Sequence, residues 1–246
     1  YAYNERYMLP LSHDEVVHGK GSLIRKMHGD GPAKFASLRL LFGYMFTTPG
    51  RKLLFMGDEF AQVREWSHER ALDWALRGAS EHAGVEAWLR RVAQLYRDDP
   101  ALHELDHDPA GFEWMVVDDN QRSLAVYMRL PSRGPVLLVA INFTPVAWQE
   151  HRVGVPAEGR WTLVDRSDAA AYGGDEATRL HETYEGRGCR CHAGTMPNCA
   201  THGTTQKLQP ASSMTCTSKA KLKQGWLSST KSVHRSTQAG AGHWLR

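Results

Sequence analysis

Short apolar blocks of two kinds alternate over roughly the first 105 residues. Tyr7-Met8-Leu9-Pro10-Leu11 is a compact apolar run that ends on Ser12-His13-Asp14-Glu15. Asp30-Gly31-Pro32 reads as a helix start, with Asp30 as cap and proline in the first turn. Phe35, Leu38, Phe42 and Met45 follow at helical spacing until Thr48-Pro49-Gly50 stops the helix. Lys52-Leu53-Leu54-Phe55-Met56 reads as a strand buried on both faces, closed by Gly57. Val85, Trp88, Leu89, Val92, Leu95 and Tyr96 form an amphipathic helix that Asp99-Pro100 ends. Strand, helix, strand, helix implies parallel β/α units.

Beyond about residue 108 the period changes to two. Phe112, Trp114 and Val116 alternate, Asp118-Asp119-Asn120 turns the chain, and Leu124, Val126, Met128 and Leu130 alternate again. Val136 to Ile141 reads as a continuous apolar strand; Arg152–Val155 and Arg160–Val164 read as strands about the turn 156–159. The fold class is therefore α/β plus all-β, with an antiparallel β domain after the β/α units. We set the divisions at residues 1–107, 108–186 and 187–246.

The last division rests on charge. All 27 acidic residues lie at or before Glu185. Residues 1–186 carry 21 basic and 27 acidic side chains, or −6; residues 187–246 carry nine basic and no acidic ones, or +9. All four cysteines (Cys189, Cys191, Cys199, Cys216) fall in that tail, with 15 Ser or Thr and no Ile, Phe or Tyr. Such a segment buries too little apolar surface to offset its chain entropy, so a disordered tail is expected. An out-of-frame read is an alternative, as are a nucleic-acid arm and a zinc site from Cys189, Cys191, His192, Cys199 and His202. The arm lacks interleaved aromatics and the cysteine spacing fits no common zinc pattern. We therefore expect no nucleic-acid partner and no metal. The cysteine-free body fits a reducing compartment. No apolar run approaches the roughly 20 residues of a membrane helix. The chain opens on Tyr1, and we read it as a piece of a longer protein.

Chemistry is expected where strands end, because β/α barrels carry their reactive side chains there. The two places are Ser12-His13-Asp14-Glu15-Val16-Val17-His18-Gly19-Lys20, and Gly57-Asp58-Glu59-Phe60 running on to Arg64-Glu65-Trp66. A carboxylate beside an imidazole suits sugar chemistry, in which an oxocarbenium-like charge must be stabilised. Trp66 could stack on a pyranose face. The duller readings are that Asp14 or Glu15 caps a turn, that Gly57-Asp58-Glu59 is a plain turn, and that Trp66 and Trp74 only pack. His13 and His18 do not form a helical metal pair, since five residues turn a helix by about 500°.

The stretch Leu11-Ser12-His13-Asp14-Glu15-Val16-Val17-His18-Gly19-Lys20-Gly21-Ser22-Leu23 resembles the bacterial glycogen (1,4-α-glucan) branching enzymes of the α-amylase superfamily. So do Lys52-Leu53-Leu54-Phe55-Met56-Gly57, Glu59-Phe60, Arg64-Glu65-Trp66, Leu72-Asp73-Trp74, Gly111-Phe112-Glu113-Trp114, Asn142-Phe143-Thr144-Pro145 and Tyr172-Gly173-Gly174. The resemblance runs in order over about residues 3 to 186. It implies the last two β/α units of a (β/α)₈ (TIM) barrel, followed by an antiparallel β-sandwich domain. It also implies cleavage of α-1,4-glucan, through a glycosyl-enzyme, and transfer of the chain to a glucan 6-hydroxyl to make the α-1,6 branches of glycogen.

On that resemblance Asp14 is the transition-state-stabilising carboxylate, His13 its hydroxyl-binding neighbour, and Glu59 and Trp66 line the substrate pocket. The family's nucleophile and acid/base lie on earlier barrel strands and have no counterpart here. Asp58 and His28 stand where the family more often has other residues. Glycogen or another α-1,4-glucan is the implied partner, the cytoplasm the implied location, and no metal or organic cofactor is implied. A non-catalytic fragment or glucan-binding module, or another hydrolase of the superfamily, remain alternatives.

Overall fold

A computed structural model describes residues 8–148, 153–155, 159–176 and 180–186, together with the backbone of 242–245. Strand β1 (Met8–Leu11) leads through a short helix α1 (Leu23–Lys26) and a long helix α2 (Pro32–Thr47) to β2 (Arg51–Leu54). The two strands are parallel, with Met8 opposite Arg51 and Leu11 opposite Leu54. After β2 the chain makes loops and 3₁₀ turns before α3 (Ser80–Asp98) and α4 (Pro100–His103). These are the two β/α units that the alternating pattern predicts.

Local details differ from expectation: β2 ends at Leu54, before Phe55 and Met56. The cap of α2 is Gly31, not Asp30; its φ of 49° suits glycine, and Pro32 takes the first helical position. The residues of β2 are half-buried or exposed rather than buried on both faces. Among the described residues β1 and β2 pair only with each other, so each keeps one open edge.

The β domain follows with β3 (Phe112–Asp119), β4 (Leu124–Arg129), β5 (Leu137–Asn142), β6 (Gly159–Arg166) and β7 (Thr183–Gly186). Its strands run antiparallel in the order β3-β4-β5-β8-β6-β7, where β8 is Gly242–Leu245. The expectation of a disordered tail thus fails for these four residues, which fill the gap between β5 and β6. The rest of the tail, with its cysteines and the zinc alternative, lies outside the described residues. Residues 153–155 are not a strand; Val153 and Val155 are buried against the sheet face, and β6 pairs with β7 and β8 instead.

Both faces of the central strands are covered. Tyr127, Leu137, Val139 and Ile141 join a core that contains Leu38, Phe42, Val85, Trp88 and Leu102 of the helices. Val126, Met128 and Leu138 point the other way and join Val153, Val155 and Trp161. The period of two is therefore real, but neither face is open to water.

Buried polar ties join the helices to the sheet. Arg129 of β4, fully buried, donates to the carbonyls of Thr47, Leu102 and Gly111 and to Asp106. Asp106 also accepts from the Tyr96 hydroxyl at 2.8 Å. Arg39 of α2 donates through Nε to the Ser167 carbonyl at 2.8 Å, and Arg91 of α3 to Asp165 at 2.6 Å. Each of these cations ends on a fixed acceptor, as a buried charge requires.

Candidate active site

The chain leaves β1 at Ser12 and turns at once. The Ser12 hydroxyl accepts the Asp14 N–H at 3.3 Å and caps a 3₁₀ turn over His13–Glu15. The cap at this point is thus Ser12, and the Asp14 carboxylate is left for other work. Val16 and Val17 then bury and anchor the far side of the turn. The Phe55 N–H donates to the Leu11 carbonyl at 2.9 Å, and the Trp66 N–H to the Val16 carbonyl at 3.1 Å. The segments after β1 and β2 are therefore bound to each other beyond the ends of the strands.

His13 and Asp14 stand out from this turn. Their side chains are 59% and 69% exposed, and His13 Nε2 lies 3.3 Å from Asp14 Oδ1. The His13 ring sits 6.0 Å from that of Phe55, and Trp66 meets Phe55 edge to face at 5.1 Å. Phe55 thus lies between the His13 and Trp66 rings. Trp66 is half-buried and packs on the core. Glu59 turns inward: its carboxylate accepts the Gly57 N–H at 2.6 Å, where Gly57 takes a φ of 98°.

Asp58, beside it, is 4% exposed, and its Oδ2 has no hydrogen-bond partner. Burial pushes its carboxyl up to about 7, Glu59 and Glu15 push the same way, and Lys26 opposes them. The reading of Gly57-Asp58-Glu59 as a plain turn misses this buried acid.

The loop after the turn holds a further carboxylate that the motif reading left without a role. His18, Gly19 and Gly21 have φ of 59°, 79° and 74°, which turns the N–H groups of both glycines toward Glu65. Glu65 accepts Gly19 N–H at 2.8 Å and Gly21 N–H at 2.6 Å. Those two bonds, helped by His18 and Arg25, hold its carboxyl below the usual carboxylate range. Lys20, between the glycines, donates to the Asp14 carbonyl at 2.6 Å. The paired glycines at 19 and 21 are the sequence signal for such a clamp. On the other side of Glu65 lies an open cleft of about 240 Å³, lined in part by Arg25, Gln62, Arg64 and Arg70; Asp14 is not part of its lining.

An exposed carboxylate with an imidazole at 3.3 Å can accept from one sugar hydroxyl and donate to its neighbour. Among the described residues no cluster of His, Cys, Asp and Glu could hold a metal ion, and no helix is long and apolar enough to cross a membrane.

Comparison with known proteins agrees with the resemblance. A family model described as the alpha amylase C-terminal all-beta domain matches residues 114–201, running past the end we set for the β domain. The chain is 53% identical over 176 residues to the 1,4-alpha-glucan branching enzyme GlgB of Cupriavidus pinatubonensis, covering 71% of this chain and 24% of that protein. It is 52% identical over 180 residues to the protein of the same name from Aromatoleum aromaticum, covering 73% and 28%. With that of Rhodopseudomonas palustris strain HaA2 it shares 49% over 189 residues, covering 76% and 26%. The chain spans about a quarter of the length of these curated relatives. Its sequence matches the C-terminal portion of the bacterial 1,4-alpha-glucan branching enzymes, within the α-amylase superfamily.

Proposed function

We propose that this chain is the segment of a 1,4-α-glucan branching enzyme that supplies the carboxylate gripping the sugar at the cleaved bond. One observation carries this reading: the Asp14 carboxylate stands exposed at the C-terminal end of a parallel strand, with the His13 imidazole 3.3 Å away, while Ser12 does the capping. Asp14 accepts from hydroxyls of the distorted glucose ring and stabilises its developing positive charge; His13 donates to an adjacent hydroxyl. In this reading Trp66, which meets Phe55 edge to face, serves as one wall of the substrate pocket, and Glu59, tied to the Gly57 N–H, stands on the neighbouring turn. The donor is an α-1,4-glucan, the acceptor a glucan 6-hydroxyl, the product an α-1,6 branch, and the setting the cytoplasm. Residues 8–107 carry the site, and the β domain from residue 108 braces the helices behind it through Arg129 and Arg39.

The test uses a chimera in which residues 8–186 of this chain replace the matching segment of the branching enzyme from Cupriavidus pinatubonensis. We expect the chimera to branch amylose, read as loss of iodine colour and gain of α-1,6 linkages. A folded but inactive chimera would overturn the reading. The 246-residue chain alone, whose two barrel strands each keep an open edge among the described residues, is expected to form no α-1,6 linkage.

A further inference from the structure

Glu65 lies 46 and 44 residues from the two backbone groups it binds, Gly19 N–H and Gly21 N–H. A carboxylate that spends both oxygens on N–H groups of a loop in left-handed conformation is a built contact, since charge-assisted bonds of 2.8 and 2.6 Å are short and strong. Between those two N–H groups sits Lys20, whose ammonium reaches back to the carbonyl of Asp14. A continuous chain of contacts thus runs from Glu65, on the segment after β2, to the backbone of Asp14 on the segment after β1.

We propose that Glu65 is a positioning residue for glucan branching: by fixing the loop at Gly19 and Gly21 it places Lys20, and Lys20 holds the backbone from which the Asp14 carboxylate reaches the sugar. The inference rests on the reading of Asp14 given above. It explains why an exposed turn of three residues can present a carboxylate in one place. Its inner side is held by Val16, bonded to the Trp66 N–H, and its outer side by Lys20. Glutamine is no conservative substitute at position 65, because its amide nitrogen would face one of the two N–H groups.

The experiment measures kcat and KM for amylose branching, with α-1,6 linkages counted, in the chimera described above and in its Glu65→Ala, Lys20→Met, Asp14→Asn and Glu65→Ala/Asp14→Asn variants. We expect Glu65→Ala and Lys20→Met each to lower kcat by about tenfold to 100-fold, the scale of a misplaced reacting group, with KM within about twofold. In the Asp14→Asn background the further loss from Glu65→Ala should shrink to about twofold or less, because the group it positions is already gone. Full multiplication of the two losses, or near-normal kcat in Glu65→Ala and Lys20→Met, would overturn the inference. Should Glu65→Ala fail to fold, Lys20→Met alone and combined with Asp14→Asn decides in the same way. Near-normal branching by Asp14→Asn removes the underlying reading and this inference together; an impaired Asp14→Asn beside a normal Glu65→Ala removes only the role of Glu65.

Discussion

Arg129 Nη2 lies 2.6 Å from Asp106 Oδ1, and the arginine is wholly buried between sheet and helices. The same guanidinium also satisfies the carbonyls of Thr47, Leu102 and Gly111. Replacing it with methionine keeps the volume but strands a carboxylate and three acceptors. Arg129→Met is therefore expected to cost about 3–5 kcal/mol of stability, the range for breaking a buried pair. Arg122→Met, which removes the more exposed ion pair with Asp119, should cost about 1 kcal/mol or less. Urea unfolding of the 246-residue chain and its variants checks both; equal losses would show that Arg129 is no rivet.

Asp58 gives stability a particular dependence on pH. Its carboxyl is raised from the ordinary 3.8 to about 7, so the folded chain holds a proton that the unfolded chain releases between those values. Its contribution to stability therefore falls as pH rises from about 4 to about 7, and is level above that. Asp58→Asn removes the charge that burial penalises. It should stabilise the chain by on the order of 4 kcal/mol at pH 8 and by almost nothing at pH 4. A gain that is the same at both pH values would contradict the account.

Helix α3 meets the turn Ala170–Tyr172 through Gly84. A methyl group there would sit 2.3 Å from the Tyr172 carbonyl oxygen, which is backbone and cannot swing aside. Gly84→Ala should destabilise by about 1–3 kcal/mol, more than the roughly 1 kcal/mol that better helix propensity returns. Gly78→Ala, with nothing within 4 Å of the added methyl, is the control and should leave the melting temperature within a few degrees. A stabilised Gly84→Ala would mean that the turn does not pack as described.

Much of this architecture was legible because it is local. Val85, Trp88, Leu89 and Val92 repeat at the helical period and all are buried in α3. The end of β1 before Ser12 follows directly from an apolar run meeting polar residues, whereas β2 stops at Leu54, short of the Met56 that its apolar run suggests. What could not be read depends on contacts between distant residues. Arg129 falls where an alternating strand should face water, and it is buried because α2 and α4 supply carbonyl acceptors from 82 and 27 residues away. Strand β8 lies within a segment too polar to suggest order, and finds its place through backbone pairing to β5 and β6, which composition does not encode. At the candidate site, His13, Asp14 and Trp66 were visible as residue types beside strand ends. Glu65 was visible only as part of a motif, since its partners are two backbone N–H groups in another loop.

The most direct test of the account is the turnover of the Asp14→Asn chimera on amylose, measured as α-1,6 linkages formed per enzyme per second alongside its melting temperature. Asparagine keeps the shape and removes the charge, so the melting temperature should stay within a few degrees of the parent chimera. Turnover should fall by about 100-fold to 1,000-fold, the cost of removing one group that stabilises charge in a transition state. Near-parental turnover in a folded Asp14→Asn chimera would contradict it.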